Sequence, residues 1–74
     1  MNQQPAQTDA AARLAAFEAM MAAVQRDYAD TCAKMQTLRE QGKEKTATYR
    51  QLMGNRLQCQ NVLSLYRVYG LMED

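Results

Sequence analysis

The 74-residue sequence contains no histidine and no tryptophan, one proline, three glycines and two cysteines. Without histidine, the chain lacks the commonest general base and a leading metal ligand. It also has no glycine-rich phosphate loop, no G-x-S-x-G element, no Cys-x-x-Cys pair and no acidic pair at the spacing of bundle metal sites. We therefore predict that the protein is not an enzyme and that it has no catalytic residues, cofactor or metal.

Long hydrophobic runs and targeting signals are also missing. No stretch approaches the ~20 consecutive apolar residues that span a bilayer. Residues 1–8 have neither a basic start nor an apolar core, so they do not form a secretory signal. These absences predict a cytoplasmic protein with no membrane contact. In that compartment Cys32 and Cys59 are expected to be reduced structural thiols, because neither has a residue that would activate it.

The sequence does contain two heptad repeats of mostly apolar residues on either side of one short polar break. The first repeat is Leu14, Phe17, Met21, Val24, Tyr28, Thr31, Met35 and Leu38. The second repeat is Tyr49, Leu52, Arg56, Cys59, Leu63 and Tyr66. When the chain folds back at the break, each residue of the second repeat comes to lie opposite one residue of the first. The two residue numbers of each pair add up to 87, from Leu38 with Tyr49 to Met21 with Tyr66. This register predicts an all-α fold, an antiparallel two-helix hairpin of the coiled-coil type.

The predicted organisation is a disordered N-terminal lead over residues 1–8 and a single helical hairpin over residues 9–74. Gly42 and Gly70 are the natural ends of the two helices, since glycine adopts the left-handed conformation that follows a last turn. Leu71 then stands where a Schellman motif places an apolar residue against that turn. The predicted bounds are helix 9–41, turn 42–46, helix 46–69 and C-terminal tail 70–74.

The last third of the second helix is apolar almost all round, and one partner helix cannot cover it all. We predict that the hairpin dimerises, giving a four-helix bundle. A helix of another protein in the same apolar groove is the alternative partner. Alanines on the first helix are expected to let another helix approach closely. The predicted interface residues are Leu57, Val62, Leu65, Val68, Tyr69, Ala15, Ala19 and Ala22.

Two residues of the second helix leave alternatives open. Arg56 lies opposite Thr31 as a polar rung of the seam. It either pairs with Asp27 or Asp30, or lays its aliphatic stem on the seam with its charged head in solvent. Gly54 is either a tolerated helix glycine or a site where another helix approaches closely.

The function predicted from these features is a non-enzymatic protein–protein interaction module, a homodimeric scaffold, adaptor or chaperone-like protein. In outline the chain resembles small cytosolic helical-hairpin proteins of bacteria, and no motif identifies a family. The alternative function is a small RNA- or DNA-binding bundle, because the turn end is basic. A net charge of only +1 argues against strong binding of nucleic acid. The candidate nucleic-acid contacts are Arg39, Lys43, Lys45 and Arg50.

Overall fold

The computed structural model describes residues 9–72, which form two α-helices in an antiparallel hairpin. Helix α1 spans Ala10–Glu40 and helix α2 spans Ala47–Val68. The helices pack against each other, and no strand occurs within residues 9–72. The predicted all-α two-helix hairpin is therefore confirmed. The predicted disordered lead over residues 1–8 and the last two residues of the predicted tail lie outside the described residues.

Both helices begin at a side-chain cap. The Asp9 carboxylate accepts a hydrogen bond from the backbone N–H of Ala11 at 3.0 Å. The Thr46 hydroxyl accepts one from the N–H of Tyr49 at 3.2 Å. The first turn of a helix leaves such N–H groups without an intrahelical partner, and a short polar side chain supplies the missing acceptor. These caps explain why α1 and α2 begin at the residues that follow them.

Helix α1 ends in a Schellman motif built on Gly42. This glycine has a φ of +71°, in the left-handed region. Its N–H donates to the carbonyl of Arg39 at 3.0 Å, and the N–H of Lys43 donates to the carbonyl of Leu38 at 2.8 Å. The two bonds use carbonyls that the last turn leaves free. The chain reverses here and starts α2 within a few residues.

Helix α2 ends in the same way at Gly70, whose φ is +75°. The N–H of Gly70 donates to the carbonyl of Arg67 at 2.9 Å, and the N–H of Leu71 donates to the carbonyl of Tyr66 at 2.8 Å. The predicted Schellman motif at Leu71 is confirmed. It turns the chain so that the Leu71 side chain stays beside the last turn of α2, which shapes the apolar surface described below.

Gly42 and Gly54 lead to opposite expectations on substitution. Gly42→Ala places a Cβ at a positive φ and is expected to lower the free energy of unfolding by about 1 kcal/mol. Gly54 is helical, with nothing within 4 Å of an added Cβ, so Gly54→Ala is expected to raise it by about 1 kcal/mol. Urea unfolding followed by circular dichroism measures both variants. Effects of the same sign would contradict this explanation.

The core of the hairpin is the seam between the helices. The buried side chains are Thr31, Met35, Tyr49, Leu63 and Tyr66. All five belong to the two heptad repeats, and Met35 is the most buried at 1% exposure. Leu14 and Phe17 begin the first repeat, yet they are 55% and 51% exposed. The reason is the unequal length of the helices: α2 ends at Val68, before it reaches the level of these two side chains.

Three tyrosines bond across the hairpin through their hydroxyls. Arg39 Nη1 donates to Tyr49 Oη at 3.1 Å, Gln60 Nε2 donates to Tyr28 Oη at 3.3 Å, and Tyr66 Oη donates to the Phe17 carbonyl at 3.5 Å. These pairs follow the predicted register to within about one helical turn. Because they lie near the turn, at the middle and near the open end, they hold the register along the whole seam.

Candidate interaction surface

An apolar groove of about 200 Å³ lies at the end of the hairpin opposite the turn. Its lining side chains are Phe17, Met20, Val62, Leu65, Tyr66, Tyr69 and Leu71. Helix α1 supplies the first two, and α2 with its Schellman turn supplies the others. The groove exists because α1 continues past the end of α2, so that apolar residues of α1 have no helix opposite them.

The walls of this groove are well exposed to solvent. Phe17 is half exposed and Tyr69 is 76% exposed. At ~200 Å² for a whole aromatic side chain, these two residues leave on the order of 250 Å² of aromatic surface in water. Met20 and Leu65 extend the same patch. The largest apolar patch of an ordinary monomer covers about 300–600 Å² and is often functional, so this patch is a candidate interaction site.

A second apolar surface lies on α2, on the side turned away from α1. We call it the outer face and define it by Gly54, Leu57, Asn61, Leu65 and Val68, all of which are exposed. At 100° per residue, all five lie within ~40° of the direction opposite the seam residue Leu52. Leu65, which is 59% exposed, belongs to both the groove and the outer face. The two surfaces are therefore adjacent.

The structure does not bring the predicted interface residues together on one surface. Val62, Leu65 and Tyr69 line the groove, Leu57 and Val68 lie on the outer face with Leu65, and Ala15, Ala19 and Ala22 are exposed on α1. At 100° per residue, these alanines point ~140–160° away from Met35, the centre of the seam. An interface built on α2 therefore does not include the alanines.

Sequence reasoning missed Phe17 and Met20 as surface residues. The heptad repeat predicts Phe17 in the seam, and Met20 is not among the predicted interface residues. The signal that identifies them is the difference in length between the helices. With Gly70 as the end of α2, the register leaves Phe17 without a helical residue opposite it.

The four basic residues proposed as nucleic-acid contacts lie at the turn end and are exposed. The Arg39 guanidinium donates a hydrogen bond to the Tyr49 hydroxyl, and this hydrogen bond is the main reason why the pKa of Arg39 is raised. Arg50 donates to the carbonyl of Lys45 at 3.4 Å. Both arginines therefore make bonds within the hairpin, while the side chains of Lys43 and Lys45 extend into solvent. Nucleic-acid binding stays a prediction.

The two cysteines are free thiols and are half-buried in the helices. Burial raises the pKa of the Cys59 thiol, with further contributions from the negative charge of Asp27 and from Cys32. A raised pKa keeps the thiol neutral, whereas the thiolate is the nucleophile and the metal ligand. Within residues 9–72, no group of three or more acidic or cysteine side chains is placed to hold a metal ion. Over the same range, neither helix combines the length and apolar character needed to cross a membrane.

Arg56 is the polar rung of the seam, and its Nε atom is buried without a hydrogen-bond partner. Asp27 and Asp30 line a polar groove along one flank of the hairpin, and Arg56 is not among the lining residues of that groove. Because Nε belongs to the guanidinium, its burial means that the charged head of Arg56 is not wholly in solvent, which departs from the second alternative.

Arg56→Met is expected to raise the free energy of unfolding by about 1–3 kcal/mol, which is the usual cost of one unsatisfied buried polar group. Methionine keeps an unbranched stem of similar shape and removes the guanidinium. Arg26→Met on the exposed side of α1 is the matched control, with an expected change within about 0.5 kcal/mol. A lower stability of the Arg56 variant in urea unfolding would mean that the guanidinium makes a favourable interaction after all.

Comparison of the chain with protein-family models, with curated proteins and with solved structures gave no match.

Proposed function

We propose that this protein is a non-enzymatic interaction module that associates with a second copy of itself and serves as a small scaffold or adaptor. The observation that carries the proposal is the exposure of large apolar side chains at the end of α2. Leu65, Val68 and Tyr69 are 59%, 76% and 76% exposed. These three residues at the end of α2 and its C-cap expose apolar area on the groove and on the adjacent outer face, which association would remove from water.

The small size of the core supports the same proposal. A hairpin buries only one face of each helix, while each ordered residue costs ~1.5 kcal/mol of conformational entropy. Complete burial of one leucine, valine or phenylalanine side chain contributes roughly 1.5–3 kcal/mol. Covering the exposed residues of α2 therefore contributes several kcal/mol of stabilising free energy that the single hairpin does not have. Two hairpins joined in this way make a four-helix assembly, a common solution for helical hairpins.

The direct test is sedimentation equilibrium of the purified protein over the micromolar range, together with binding of a hydrophobic dye. A dimer that binds little dye supports the proposal, because association then covers the apolar surface. A monomer that binds dye contradicts self-association and favours the other occupant of the groove, a helix of a different protein. A monomer that binds no dye contradicts both forms of the proposal.

A further inference from the structure

We draw no further inference here: the strongest candidate, the apolar groove at the open end of the hairpin with the adjacent outer face of α2, carries none because nothing in the structure shows what covers it.

Discussion

Leu65→Asp is expected to convert the dimer into a monomer while the hairpin remains helical. In the single hairpin Leu65 is more than half exposed, so an aspartate there costs little beyond its lower helix propensity, well under 1 kcal/mol. In the proposed dimer the same substitution places a carboxylate in the apolar contact of both copies. Burying a charge without a partner costs several kcal/mol, so we expect the dissociation constant to rise at least ~100-fold.

Sedimentation equilibrium measures this change, and far-ultraviolet circular dichroism checks that the helices persist. Gln25→Asp, on an exposed position of α1, is the control and is expected to leave both readings unchanged. Two further variants separate the surfaces: Val68→Asp alters only the outer face, whereas Met20→Asp alters only the groove. A Leu65→Asp protein that still sediments as a dimer would exclude both surfaces, since Leu65 belongs to each.

Met35→Ala is expected to cause a large loss of stability. Met35 is the most buried side chain of the hairpin, and it lies on the rung that the register pairs with Leu52. Truncating a buried methionine to alanine costs about 2–5 kcal/mol, from lost burial and from the cavity that remains. Ordinary domains have only about 5–15 kcal/mol of stability in total, and a hairpin this small stands at the low end. We therefore expect a largely unfolded protein at 37 °C.

Urea unfolding at a fixed protein concentration, followed by circular dichroism, gives the size of this effect. Leu14→Ala is the matched control, because Leu14 occupies a position of the same heptad repeat but is 55% exposed. Its loss of stability is expected to stay below about 1 kcal/mol. If both variants lose the same amount, the heptad position rather than burial in the seam governs stability, and our description of the core is wrong.

The seam could be read from the sequence because it depends on a local and periodic property. A heptad of apolar residues must lie on one side of a helix, and two heptads with a constant index sum must meet rung by rung. The buried residues from Thr31 to Tyr66 all lie on these repeats. The left-handed turns at Gly42 and Gly70 follow from a similarly local cause, the absence of a Cβ.

The candidate surface could be predicted only in part. The exposure of Leu65 and Val68 follows from their angle around α2, which the sequence gives directly. The exposure of Phe17 does not follow from its angle around α1, since it depends on how far α2 extends alongside α1. The alanines of α1 were predicted to share the interface of α2, but their direction relative to α2 depends on how the two helices pack.

The sequence by itself determined the helices, their register and the turn that joins them, because periodicity and glycine placement act within a few residues of the chain. Only the tertiary structure decided which apolar residues of the heptad repeats remain in water at the open end of the hairpin. That outcome depends on the unequal lengths of α1 and α2 and on the direction in which each face points once the seam has formed. Burial at the open end is a property of the assembled hairpin, so the groove becomes visible only after the helices are packed.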